Sequence, residues 1–141
     1  MNEAIISVGS NIEPEKNVVR AQDKLAKTQT FVKASRFYRT KPIGFTDQDD
    51  FLNGAYLLRT EDSLESLEKK LKQIEIEMGR VKTENKNGPR CIDLDVVVWN
   101  RQIIDSDFYD RDFLQKTVLE LMPDLRFELL SYKQSTKKQS A

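Results

Sequence analysis

The stretch Ile92-Asp93-Leu94-Asp95-Val96-Val97-Val98-Trp99 is β-branched and apolar apart from its two aspartates. That is the composition of a buried strand. On a strand, side chains i and i+2 share a face, about 6.5–7 Å apart. Asp93 and Asp95 therefore project together, and Ile92, Leu94, Val96 and Val98 face the other way. Two carboxylates side by side in an apolar strand repel each other and are costly to desolvate. Arg90, just upstream, is one cation against two acids. A divalent cation matches the pair better. Hard oxygen donors suit Mg²⁺, which takes one or two carboxylates and completes its shell with water and substrate phosphate. An ion-pair network or a solvated strand end remains the other reading of the same residues.

Working outward, Ala4 to Val8 is a short apolar run closed by Gly9-Ser10-Asn11, a strand and a turn. Glu13-Pro14-Glu15 starts a helix, with Pro in the first turn and acids at the positive end of the dipole. Val18, Ala21 and Leu25 give that helix one apolar face to about Gln29. Phe31 to Arg39 is expected as a second strand and Asn53 to Arg59 as a third. Between them Thr40–Asp50 has no clear period and is long for a connection, which points to function. Asp62 with Glu65 resembles a capping box. Leu64, Leu67, Leu71, Ile74 and Met78 then form a helical stripe that Gly79 stops. Lys82 to Pro89 is a polar loop before the aspartate strand. A last helix is expected over Asp110 to Leu121, followed by Pro123.

The order β-α-β, then β-α-β, is the ferredoxin-like double split β-α-β of the α+β class, an antiparallel sheet with helices on one face. Such a fold hosts many chemistries and selects none.

Composition removes several function classes. The 141 residues suffice for one domain with a real core. Lys and Arg number 23 against 23 Asp and Glu, so no net field draws the chain to nucleic acid or an anionic membrane. No apolar run is long enough for a transmembrane helix. The first residues have no basic region and no long apolar core, so a signal peptide is not expected. The single Cys91 cannot form an internal disulfide, which agrees with a cytoplasmic location. The chain has no histidine, which excludes His-based acid–base chemistry, Ser-His-Asp triads and His-ligated zinc.

Arg80, Lys82, Lys86 and Arg90 fall shortly before the acid pair. Cations next to a carboxylate pair suit a polyphosphate, the cations holding outer oxygens and a metal screening bridging ones. A solvated loop carrying both signs of charge is the plainer account.

Six pieces together carry a resemblance: Ser7-Val-Gly-Ser-Asn11; Phe37-Tyr-Arg-Thr40 with Pro42 and Gly44; Gln48 with Phe51-Leu-Asn53; Glu75 with Gly79-Arg80; Gly88-Pro-Arg90; and Ile92-Asp-Leu-Asp95. In order and spacing, from about residue 4 to 125, the chain resembles the 6-hydroxymethyl-7,8-dihydropterin pyrophosphokinases of folate biosynthesis. The resemblance implies a single pyrophosphokinase domain over 1–130; residues 131–141, basic and low in hydrophobics, are expected as a flexible tail. It implies transfer of pyrophosphate from ATP, the co-substrate, to the pterin hydroxymethyl group, leaving AMP. Two Mg²⁺ ions would bind at Asp93 and Asp95. Arg80 and Arg90 match phosphate-binding positions and count with the acid pair as catalytic. Glu75, Lys82 and Arg111 match the nucleotide side. Thr40, Ile43 and Gly44 match the loop that meets the pterin, Asn53 the amide that reads its edge, and Phe51 and Phe113 the aromatics that sandwich its ring. A flat heterocycle needs such faces and such an amide. A cytoplasmic monomer is expected, without nucleic-acid or membrane partners.

The chain departs from the family in places. A Pro-His step after the metal strand is missing, and Ile104–Tyr109 is shorter than the matching segment. Lys41 stands where a second Pro is common, and Lys82 where Arg often sits. A paralogue that binds pterin or nucleotide without turnover is the alternative that these departures raise.

Overall fold

The structure, a computed structural model, describes residues 1–42, 44, 47–79 and 91–139, with side chains described to Ser135. Its strands are β1 (Asn2–Ser10), β2 (Thr30–Ala34), β3 (Tyr38–Thr40), β4 (Phe51–Thr60), β5 (Asp93–Trp99) and β6 (Gln102–Ile103). Its helices are α1 (Pro14–Thr28), α2 (Leu64–Glu77), α3 (Asp112–Leu121) and α4 (Arg126–Gln139).

The strands form one sheet in the order β2-β4-β1-β5-β6, with β3 also on β4. Both β1 and β2 pair antiparallel with β4, so they run parallel to each other with β4 between them. That is the split β-α-β, and β4-α2-β5 repeats it around β1. The expected second strand is two strands. At the break, the Ser35 hydroxyl accepts from the Ala55 N–H at 2.9 Å, which carries the ladder across the gap. Phe37 fits beside β4 because Gly54 has no side chain: a Cβ there would lie 2.5 Å from three ring atoms.

Apolar periodicity places α1 and α2 on one face. Val18, Ala21 and Leu25 of α1 and Leu67, Leu71 and Ile74 of α2 pack against Ala4, Ile6, Val8, Leu58 and Leu94. The other face is also covered, which the pattern did not anticipate. Leu114 and Val118 of α3, with Phe108 and Leu129, pack on Ile5, Ala55, Val97 and Val98. The parity of β5 explains how one strand serves both faces. Ile5 pairs with Val98 and Ile6 with Val96, so Val97 is an extra residue on β5. Such a bulge moves every later side chain to the opposite face. Val98 therefore leaves the face of Leu94 and Val96, contrary to the simple alternation. Asp93 and Asp95 precede the bulge and keep theirs.

One local expectation is corrected. The cap of α2 is Ser63, whose hydroxyl accepts from the Ser66 N–H at 3.2 Å, and not Asp62. Asp62 instead meets Lys70 at 2.8 Å and Gln29 at 2.9 Å. These two contacts hold its carboxyl below the usual range. Residues 131–139, within the stretch expected as a flexible tail, continue α4. Lys and Gln are good helix formers, Leu129 is buried, and the Tyr132 ring stacks on Tyr109 with centroids 4.2 Å apart.

Other signals hold. Gly79 follows α2 with φ 94°, the left-handed stop that glycine adopts without strain. Asn100 and Arg101, both at positive φ, make the two-residue hairpin that joins β5 to β6. No helix among the described residues is long and apolar enough to cross a membrane.

Candidate functional site

β1 lies between β4 and β5, and its register builds the site. Gly9 pairs with Asn53 on one side and with Asp93 on the other; Ser7 pairs with Ala55 and Asp95. Residues paired this way share a face. Two adjacent strand spacings put the Asn53 and Asp93 backbones about 10 Å apart. The row Asn53–Gly9–Asp93 thus has an amide at one end and a carboxylate at the other. The α3 layer roofs it.

A cavity of about 150 Å³ sits over this row. Thr40, Phe51, Asn53, Asp93, Asp95, Arg111 and Phe113 line it. These residues come from four separate segments of the sequence. The volume falls below the ~300–1,000 Å³ of pockets for drug-sized ligands, so the described space suits a flat ring better than a whole nucleotide. The Asn53 side-chain N–H donates to the Thr40 hydroxyl, which leaves the amide oxygen oriented over Gly9. That oxygen occupies the space a Gly9 side chain would fill. Phe51 and Phe113 are each half-buried, with ring faces available to a planar guest.

The opening loop is tied down at its far end. The Asn11 amide donates to the Gln48 side-chain oxygen at 2.7 Å and to the Asp49 carbonyl at 3.1 Å. This links the end of β1 to the loop before β4. Gly44, expected at the pterin, is exposed with φ 84° and is not among the cavity residues. Ile43, Arg80, Lys82 and Arg90 lie outside the described residues.

Glu75 is not at the cavity surface. It is buried, and its Oε2 accepts from the Leu94 N–H at 2.8 Å. Leu94 sits between the two aspartates, where β6 does not reach to pair with β5. Lys72, one helical turn earlier, lies 3.5 Å from Glu75 Oε1 and 3.3 Å from Asp95 Oδ1. It also donates to the Leu94 carbonyl at 3.4 Å. Two side chains of α2 therefore satisfy the open edge of β5 at the acid pair. Burial pulls the Lys72 ammonium pKa down, but the charges of Asp95 and Glu75 outweigh it and hold it above the ordinary value.

Four carboxylates line the cavity, those of Asp93, Asp95, Asp105 and Asp107, against the cations Lys41 and Arg111. Asp105 caps the 3₁₀ turn Ser106–Tyr109 by accepting from the Asp107 N–H at 3.0 Å. Burial, with the nearby charges of Asp107 and Asp95, raises its pKa. Arg111 lies 3.4 Å from Asp107. The surplus of negative charge and the hard oxygen donors fit a divalent cation. Among the described residues no three or more acidic, cysteine or histidine side chains converge on one point. A cation at Asp93 and Asp95 would therefore complete its shell from water and phosphate, the habit of Mg²⁺.

Four contributors escaped the sequence reading of the site. Gly9 had a signal, since glycine inside a strand marks close approach. Lys72 had a partial one, the i,i+3 spacing to Glu75. Asp105 and Asp107 had none.

Fold and cavity define a ferredoxin-like protein with a small slot that has an amide and two aromatic rings at one end and carboxylates at the other. Comparison with known proteins narrows this class. Residues 5–123 match the family described as 7,8-dihydro-6-hydroxymethylpterin-pyrophosphokinase (HPPK). The 2-amino-4-hydroxy-6-hydroxymethyldihydropteridine pyrophosphokinase of Haemophilus influenzae is 33% identical over 134 residues, covering 86% of this chain and 82% of that protein. The protein of the same name in Bacillus subtilis is 33% identical over 141 residues, covering 92% and 84%. Folic acid synthesis protein fol1 of Pneumocystis carinii is 39% identical over 135 residues, 88% of this chain but 18% of that protein. The chain thus spans about a fifth of the long folic acid synthesis proteins and most of the short pyrophosphokinases. It belongs to the 7,8-dihydro-6-hydroxymethylpterin-pyrophosphokinase family.

Proposed function

We propose that this chain transfers pyrophosphate from ATP to the hydroxymethyl group of 6-hydroxymethyl-7,8-dihydropterin, releasing AMP. The observation that carries the reading is the row Asn53–Gly9–Asp93, with the Asn53 amide and the carboxylate pair at opposite ends of one cavity. The Asn53 amide and Thr40 hydroxyl match the donor–acceptor edge of a pterin. Phe51 and Phe113 supply faces for its ring. The hydroxymethyl group then points toward Asp93 and Asp95.

Asp93 and Asp95 would hold Mg²⁺, two ions by the family resemblance. When bound, Mg²⁺ neutralises charge on the phosphate oxygens. Asn53, Thr40 and the two rings hold the hydroxyl in line with the β-phosphorus. The hydroxyl oxygen bonds to that phosphorus, and its bond to the α,β-bridging oxygen breaks. AMP leaves and the hydroxyl proton passes to water. Arg111, which lines the cavity, would offer charge to the phosphates. By the resemblance, Arg80, Lys82 and Arg90 do so as well, and Ile43 and Gly44 meet the pterin. Glu75 acts from beneath, fixing Leu94 between the two aspartates. The proposal includes a cytoplasmic monomer.

The test is AMP release from ATP and Mg²⁺, measured with and without the reduced pterin. Pterin-dependent AMP supports the reading. Pterin binding with ATP left intact would move the assignment to a paralogue without turnover.

A further inference from the structure

We propose that Lys72 is a positioning residue that acts as a resident counter-ion of the acid pair, yielding Asp95 when a divalent cation arrives. This rests on Asp93 and Asp95 being the cation site. Lys72 contacts two groups of β5, Asp95 Oδ1 at 3.3 Å and the Leu94 carbonyl at 3.4 Å, and one of its own helix, Glu75 Oε1 at 3.5 Å. The Glu75 side chain is 1% exposed and that of Asp95 47%. The ammonium thus bridges a buried carboxylate and a solvent-facing one. The two partners differ in what they do. Glu75 is already committed to the strand, holding the Leu94 N–H at 2.8 Å. Asp95 lines the cavity and is available to a ligand there.

A cation entering at Asp95 meets the Lys72 charge on the same carboxylate. Like charges on one oxygen repel, so the ammonium and the metal compete for Oδ1. Glu75 offers the displaced ammonium a second carboxylate, so the exchange leaves no bare charge behind. Without metal, Lys72 reduces repulsion within the acid pair and keeps the open edge of β5 in place. With metal, it is released from the Asp95 oxygen the cation needs.

The competition is measurable without turnover. The probe is Mn²⁺, a hard divalent cation with the same oxygen preference as Mg²⁺, titrated into the full chain without nucleotide and followed by electron paramagnetic resonance. Lys72→Gln and Lys72→Met should bind Mn²⁺ about two- to fivefold tighter than the unmodified chain, the scale of one partly exposed ion pair. Lys72→Arg keeps the charge and should stay near the unmodified affinity. Adding Asp95→Asn should abolish the gain. Unchanged or weaker Mn²⁺ binding in a folded Lys72→Gln chain would overturn the inference, as would a gain that survives Asp95→Asn. A merely structural Lys72 would lower the melting temperature and leave Mn²⁺ affinity where it was. An unmodified chain that takes up no Mn²⁺ would overturn the metal assignment itself, and this inference with it.

Discussion

Gly9 and Asn53 share one space: a Cβ on Gly9 would lie 2.8 Å from the Asn53 side-chain oxygen. The strand glycine gives the amide its seat. In Gly9→Ala the added methyl meets the end of a flexible side chain, so Asn53 turns away while the strand stays. Pterin affinity should fall about tenfold, the scale of one well-made hydrogen bond. Stability should change by less than about 1 kcal/mol. Fluorescence titration of the pterin, set beside a urea melt, measures both.

Gly54→Ala should do the reverse. Its Cβ would lie 2.5 Å from three atoms of the Phe37 ring, a rigid group packed 5.9 Å from Tyr56. Overpacking of this kind costs about 1–3 kcal/mol. The urea midpoint should drop by that amount, with pterin affinity per folded molecule little changed.

Asp95→Ala and Asp93→Ala should each lower turnover by orders of magnitude, because each removes a carboxylate from the site that organises the polyphosphate. The fold should persist, since like-charge repulsion is relieved. Pterin affinity should stay within a few-fold. Near-normal turnover of Asp95→Ala at moderate Mg²⁺ would contradict the metal assignment.

Stability should decline in alkali through Tyr56. Its hydroxyl is buried and donates to the Val18 carbonyl at 2.8 Å, joining β4 to α1. Burial first, and the charge of Asp23 second, push its pKa well above the ordinary tyrosine value. An acid whose folded pKa is raised keeps its full contribution below the unfolded value, about 10. That contribution is lost as pH rises above it. Urea melts from pH 8 to 11 should show this decline, and Tyr56→Phe should flatten it while lowering stability at pH 8.

The split between what the sequence revealed and what it hid follows from range. Asp93 and Asp95 share a face because strand alternation is local and holds up to Val96. Val98 broke the pattern because the bulge at Val97 belongs to the pairing with β1, set by residues far away in sequence. Asp62 and Ser63 are both good caps, and the choice fell to Lys70 and Gln29, which draw Asp62 away. The stripes of α1 and α2 were legible from period alone. The cover by α3 was not, because β1 and β5 bury both faces and so do not say what lies on each. At the site, Asn53, Phe51 and Phe113 came from the family resemblance. Lys72 depends on α2 docking against the edge of β5, a tertiary fact with no local trace beyond its spacing to Glu75.

The most direct test of the central claim is the fate of the β-phosphorus of ATP. With β-labelled ATP, Mg²⁺ and the reduced pterin, the account predicts that label moves to the pterin in step with AMP. The same transfer should be lost in Asp95→Ala. Label recovered in ADP, or left in ATP while the pterin is bound, would contradict it.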